Sequence, residues 1–106
     1  MRKVWFDEAW EDYLYWQSQD KKPIKRINQL LQDIDRNGYN GIGKPELLKG
    51  ELSGFASRRI DETNRLVYRI SGDVIEILSC KGHYEIWIIR GSIESERFDA
   101  FLILEV

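Results

Sequence analysis

The chain is expected to fold as an α+β domain, with an N-terminal strand and a two-helix hairpin packed on a small antiparallel β-sheet. Three observations carry this expectation. Apolar residues recur at helical spacing between Glu8 and Ile34, and β-branched and aromatic residues crowd into three short runs between Phe55 and Cys80. Gly, Asn and Asp punctuate the joins, so helices precede strands, which is the order of an α+β domain.

Met1 to Phe6 reads as the first strand, because Val4, Trp5 and Phe6 suit a pleated surface and Asp7 then offers a helix cap. From Glu8 to about Ser18, Trp10, Tyr13, Leu14 and Gln17 fall on one helical face, with Glu11 and Asp12 opposite. Asp20 can cap a second helix that tolerates Pro23 in its first turn. Its expected buried stripe is Ile24, Ile27, Leu30, Leu31 and Ile34, and Asn37-Gly38 supplies a left-handed stop.

Residues 37 to 54 hold five glycines and a proline without a sustained period, and are expected to form a long loop. The strands Phe55 to Ile60, Arg65 to Ile70 and Val74 to Cys80 then follow, joined by Asp61-Glu62-Thr63-Asn64 and by the hairpin turn Ser71-Gly72-Asp73. After Tyr84 the character changes to a possible strand, a polar stretch and an apolar end.

A length of 106 residues, 42% hydrophobic and 32% charged, fits one globular domain. No apolar run approaches the roughly 18 to 20 residues of a bilayer span, and the N-terminus lacks the apolar stretch of a secretory signal. The lone Cys80 suits a reducing compartment and a packing role, so a cytoplasmic location is expected. One histidine and one cysteine exclude zinc sites built from several such ligands, an all-carboxylate magnesium site stays open without a motif behind it, and no cofactor is expected. The net charge of −2 argues against binding nucleic acid by bulk electrostatics. Residues 1 to 84 nevertheless carry 14 basic and 13 acidic side chains against 2 and 5 in residues 85 to 106, so the acidity belongs to the tail. Any RNA contact must come from a local basic cluster. Lys21, Lys22, Lys25 and Arg26 form one, either a solvated helix face or an RNA backbone contact.

RNA cleaves when a base removes the 2′-OH proton, an acid protonates the departing 5′ oxygen and cations steady the extra negative charge. Glu46, in the Gly-rich loop beside Lys44 and Lys49, is the candidate base. His83, the only histidine, is the candidate acid because imidazole titrates near neutrality, and Tyr84 can stack on a base or donate a hydrogen bond. Arg58, Arg59, Arg65 and Arg69 share one hairpin, and guanidinium forks match phosphate oxygens; Arg65 and Arg69, four apart, should point the same way. Each residue alone also fits an ordinary surface or packing role.

Six ordered segments carry a resemblance: Tyr13-Leu14-Tyr15-Trp16, Gly43-Lys44-Pro45-Glu46-Leu47-Leu48-Lys49, Leu52-Ser53-Gly54-Phe55, Ser57-Arg58-Arg59-Ile60, Arg65-Leu66-Val67-Tyr68 and His83-Tyr84. Together they resemble the YoeB toxins of bacterial toxin–antitoxin pairs, within the RelE-like group, over residues 1 to 84. The resemblance implies a RelE-like ribonuclease that enters the ribosomal A site and cuts mRNA without a metal, leaving a 2′,3′-cyclic phosphate or 3′-phosphate. It assigns Glu46 as general base, His83 as general acid, Arg65 as the phosphate-stabilising arginine and Tyr84 as the C-terminal tyrosine, with Lys49 and Arg59 as supporting phosphate contacts. It further implies a homodimer, a cognate YefM-like antitoxin, the 70S ribosome as partner, and operator DNA bound only through the antitoxin.

The departure is the tail. Residues 85–106 extend past the His-Tyr pair where similar chains stop, and are expected to add a strand over the sheet, as an inhibitory or a neutral extension. A competing reading is a non-catalytic binding protein or antitoxin-dependent co-repressor on the same fold, in which Glu46, Arg65 and His83 would not converge. A nuclease for free RNA is a third, disfavoured by a near-neutral domain with little affinity for a bare backbone.

Overall fold

The computed structural model describes residues 1–19 and 21–82. The Asp20 cap, His83, Tyr84 and the expected added strand of the tail lie outside them. Strand β1 (Arg2–Trp5) leads into helix α1 (Asp7–Gln17) and helix α2 (Lys21–Asn37). A two-residue strand β2 (Glu46–Leu47), a 3₁₀ turn (Gly50–Leu52), and strands β3 (Ala56–Arg59), β4 (Arg65–Ser71) and β5 (Val74–Ser79) follow within the described residues. The five strands form one sheet in the order β1-β5-β4-β3-β2.

β3, β4 and β5 make the expected antiparallel meander, but the sheet is mixed because β1 pairs parallel with β5, Val4 opposite Glu76. The stretch expected to be one long loop contains both β2 and the 3₁₀ turn. Neither is long enough to show a period of its own.

α2 buries Pro23, Ile27, Leu30, Leu31 and Ile34, matching the stripe apart from Ile24, which is half-buried. It stops at Gly38, whose φ of 64° needs no Cβ to avoid. α1 departs from expectation. Trp10 and Leu14 are exposed at 45% and 44%, whereas Ala9 and Asp12 are buried. Apolar residues surround this helix, so spacing alone did not choose the inward face. Asp12 turns inward because its Oδ2 accepts the Cys80 N–H at 3.0 Å, while the Trp16 indole donates to the Cys80 carbonyl at 2.8 Å. Asp7 is the first helical residue rather than the cap.

Alternation along the strands separates two cores. Leu66, Tyr68, Ile75 and Ile77 face the helices, joined by Ile27, Leu30 and Ile34. Val67 and Leu78 face the other way, against Leu48, Leu52 and Phe55. The segment between β2 and β3 thus covers part of the second face, which the helices leave open. A register shift between Val67 and Tyr68 bends the β4–β5 pair.

Candidate functional site

The site is built on the face away from the helices, where three neighbouring strands present polar side chains. Glu46 on β2 pairs with Ser57 on β3, and Arg65 on β4 pairs with Arg59, so all four share that face. The Arg65 Nε donates to the Ser57 Oγ at 2.9 Å, and one terminal nitrogen donates to the Lys44 carbonyl at 3.4 Å. That nitrogen lies 3.6 Å from the Glu46 carboxylate. The Arg65 side chain is 9% exposed and that of Glu46 is 50% exposed, so a shielded cation stands beside an open carboxylate.

Glu46 is held there by a loop that is stapled to the core rather than loose. Arg58, fully buried on the helix side of β3, donates to the carbonyls of Gly38, Asn40 and Ile42, to the Tyr68 hydroxyl and to Asp33. A Cβ on Gly41 would lie 2.0 Å from the Asp33 carboxylate, and one on Gly43 would lie 2.7 Å from Leu30. The backbone therefore runs hard against α2 before Lys44, at φ 52°, turns it into β2. The Gly43 carbonyl also accepts the Arg59 N–H at 2.7 Å. Asp33 keeps its carboxyl below the usual carboxylate range through the Arg58 guanidinium and the Ile42 N–H.

The four strand arginines consequently divide. Arg58 is a structural pin, not an open phosphate contact. Arg69 shares the Arg65 face as expected, but it is paired with Glu76 at 2.6 Å and lies over the Phe55 ring. Arg65 joins the site, and Arg59 stands exposed opposite it. Lys49 is exposed where the chain leaves β2 for the 3₁₀ turn.

The chain that leads to His83 is anchored at the same place. The Gly82 carbonyl accepts the Arg65 N–H at 3.0 Å, and the Gly82 N–H donates to the Asn64 Oδ1 at 2.8 Å. Asn64 is itself set by Asp61: burial acts to raise that carboxyl, but donors from Thr63 and Asn64 outweigh it and hold it low. Ser57 and Asn64 were not singled out from sequence. Their hydrogen bonds in the folded chain show that one orients Arg65 and the other anchors Gly82.

Among the described residues, no group of three or more His, Cys, Asp and Glu is placed to hold a metal ion. A half-exposed carboxylate can accept a hydroxyl proton, and a guanidinium fixed by two oxygen acceptors can offer its remaining N–H groups to an anion.

Residues 5–84 match the model of the YoeB-like toxins of bacterial type II toxin–antitoxin systems. The chain belongs to this family. It is 51% identical over 84 residues to toxin YoeB of Escherichia coli K12, covering 79% of this chain and all of that one. It is 52% identical over 85 residues to toxin RelK of Mycobacterium tuberculosis, again covering 79% of this chain and all of the relative. Among solved structures, the YoeB/ParE toxin of Agrobacterium tumefaciens superposes with a TM-score of 0.77 at 42% identity, covering 79% of this chain and 100% of that one. The heterotetrameric YoeB–YefM toxin–antitoxin complex of Staphylococcus aureus gives a TM-score of 0.75 at 52% identity, covering 79% and 98%. YafQ of E. coli shares the fold at a TM-score of 0.64 and 13% identity. This YoeB-family chain thus has the RelE-like architecture expected of it.

Proposed function

We propose that this YoeB-family toxin is a ribosome-dependent endoribonuclease that cuts mRNA in the A site. The observation that supports the reading best is the juxtaposition of Glu46 and Arg65 at 3.6 Å on one open sheet face. In the proposed reaction the Glu46 carboxylate takes the 2′-OH proton. The 2′ oxygen attacks the adjacent phosphorus, and Arg65, aided by Lys49 and Arg59, neutralises the charge that gathers on the non-bridging oxygens. His83 protonates the 5′ oxygen as its bond to phosphorus breaks, and Tyr84 positions the substrate. The product is a 2′,3′-cyclic phosphate, which water opens to a 3′-phosphate. Residue 82, bonded to Arg65 and Asn64, supports the delivery of His83 to this centre.

A domain of near-neutral charge has little hold on a free strand, and the ribosome supplies the positioning. The S. aureus YoeB–YefM complex supports a cognate YefM-like antitoxin, and the S. aureus YoeB dimer supports a homodimer. Operator DNA is proposed to be bound only through the antitoxin. No described helix is long and apolar enough to cross a membrane, and the proposed site of action is the cytoplasm. Residues 1–84 are the proposed toxin domain and 85–106 an extension of it.

The test is cleavage of a programmed mRNA on 70S ribosomes with an empty A site, by the full chain, a chain stopped at Tyr84, and His83→Ala, with mapping of the 3′ ends. Cutting by the first two, lost in His83→Ala, supports the nuclease; cutting only by the shortened chain makes the tail inhibitory. No cutting by either, with antitoxin binding intact, turns the assignment to a binding protein.

A further inference from the structure

β1 pairs with β5 only as far as Trp5 opposite Ile77, after which the Phe6 N–H reaches the Ile77 carbonyl at 2.9 Å and the chain turns into α1. Among the described residues no strand borders β5 on that side beyond this point, so the backbone groups of the fully buried Cys80 need partners from elsewhere. α1 supplies them from its inner face. Asp12 and Trp16, one helical turn apart, take both polar groups of the same residue: the Asp12 Oδ2 accepts the Cys80 N–H at 3.0 Å, and the Trp16 indole donates to the Cys80 carbonyl at 2.8 Å. The Cys80 thiol also donates to the Ala9 carbonyl at 3.6 Å.

A carboxylate is an expensive choice for this task. Asp12 is 9% exposed, and a backbone N–H can be satisfied by a neutral oxygen. What the carboxylate adds is a charge-assisted bond, stronger than a neutral one. The same stretch is held again two residues on, where the Gly82 N–H donates to the Asn64 Oδ1 and the Gly82 carbonyl accepts the Arg65 N–H. His83 follows at once. It stands three residues from Cys80, within about 11 Å of extended chain, so a shift of the Cys80 backbone is passed to the imidazole.

We propose that Asp12 and Trp16 are positioning residues for the general acid: by gripping the Cys80 backbone they set where the His83 imidazole meets the departing 5′ oxygen. This inference rests on the nuclease reading above. Both residues act through the main chain, from the helix side of the sheet. Glu46 and Arg65 are set on the other side by β2, Ser57 and the Arg58 staple, so loosening Cys80 disturbs the acid and spares the base.

The experiment measures kcat and KM of the full chain on programmed 70S ribosomes with two mRNAs, one ordinary and one whose scissile 5′ oxygen is replaced by sulfur. Thiols ionise near about 8.5, far below alcohols, so as the 2′ oxygen bonds to phosphorus the sulfur departs as a thiolate and needs no proton. On ordinary mRNA, Asp12→Ala and Trp16→Phe should lower kcat about tenfold or more, within the roughly 10²- to 10⁴-fold that a general acid supplies, with KM unchanged. Asp12→Asn, which keeps an oxygen acceptor, should fall between Asp12→Ala and wild type. On the sulfur mRNA all three, and His83→Ala, should cut within about twofold of wild type, whereas Glu46→Gln stays slow. Equal losses on both mRNAs, or no loss on the ordinary one, overturn this inference alone and leave Asp12 and Trp16 as parts of the core. If thermal unfolding shows that Asp12→Ala does not fold, Trp16→Phe, which keeps a ring and removes the N–H, decides the matter. Failure of sulfur to rescue His83→Ala, or no cutting by wild type, overturns the inference together with the nuclease reading.

Discussion

Glu46 and Arg65 meet across β3, with the Ser57 hydroxyl fixing the guanidinium at 2.9 Å and the carboxylate standing 3.6 Å away. The contact is too long for a tight bidentate pair and too close for indifference. Half of the Glu46 side chain is open to solvent, so the pair adds little to stability, as exposed ion pairs generally do. Its proposed consequence is chemical: the candidate base and the candidate anion-binding group share one surface.

Ser57→Ala removes the acceptor that orients a nearly buried guanidinium. We expect a loss of about 1–3 kcal/mol from the stranded N–H. Cleavage should fall with it, less than in Arg65→Ala, because Arg65 keeps its charge but not its direction. Urea unfolding beside single-turnover cleavage of both variants checks the order.

Arg58→Met should cost about 3–5 kcal/mol, because three loop carbonyls, the Tyr68 hydroxyl and Asp33 lose a common donor. In a domain of this size that lowers Tm by well over 10 °C at about 4–8 °C per kcal/mol. Calorimetry on the variant measures it; a Tm within a few degrees of wild type contradicts the pin.

Acid should weaken the fold through specific carboxylates. Asp33, bonded to Arg58, and Asp35, bonded to Lys3, both have lowered values in the folded protein, as does Asp61 in its turn. A lowered folded value means stabilisation that is present above the unfolded pKa, near about 3.9, and lost as pH falls through the folded value. Urea midpoints should drop between pH 5 and 2, and Asp33→Asn should flatten that dependence.

Cys80 should be inert in the native state. Burial, reinforced by the Asp12 charge, pushes its thiol well above the usual range, so the thiolate that alkylating reagents need is scarce. Iodoacetamide at pH 8.5 should modify the unfolded chain and leave the folded one intact, a contrast visible by mass spectrometry. The sign agrees with linkage: a raised thiol value stabilises the fold below the unfolded pKa and is lost at higher pH.

Where one pattern dominated, the sequence was sufficient. The α2 stripe and the β3 to β5 meander were legible because apolar residues sit on one side of the helix and turn residues bound each strand. α1 was not, because Trp10 and Leu14 look like a core face while the inward position belongs to Asp12, whose backbone partner is 68 residues away. β2 escaped because two residues cannot show an alternation; its existence depends on pairing with Ser57 and Ala56. In the candidate site, Glu46 was readable as a loop carboxylate beside lysines and Arg65 as one of four strand arginines, and only the resemblance to the YoeB toxins joined the two. The split of Arg58 from Arg59 was not, since adjacent residues on a strand face opposite sides and only tertiary packing says which side is buried.

The most direct measurement is single-turnover cleavage of mRNA on 70S ribosomes by wild type and Glu46→Gln, matched for ribosome binding and unfolding temperature. If Glu46 is the base, the variant should keep both controls and cut about 10²- to 10⁴-fold more slowly. Cleavage within a few-fold of wild type would contradict the reaction centre described here and leave the Glu46–Arg65 contact a surface ion pair.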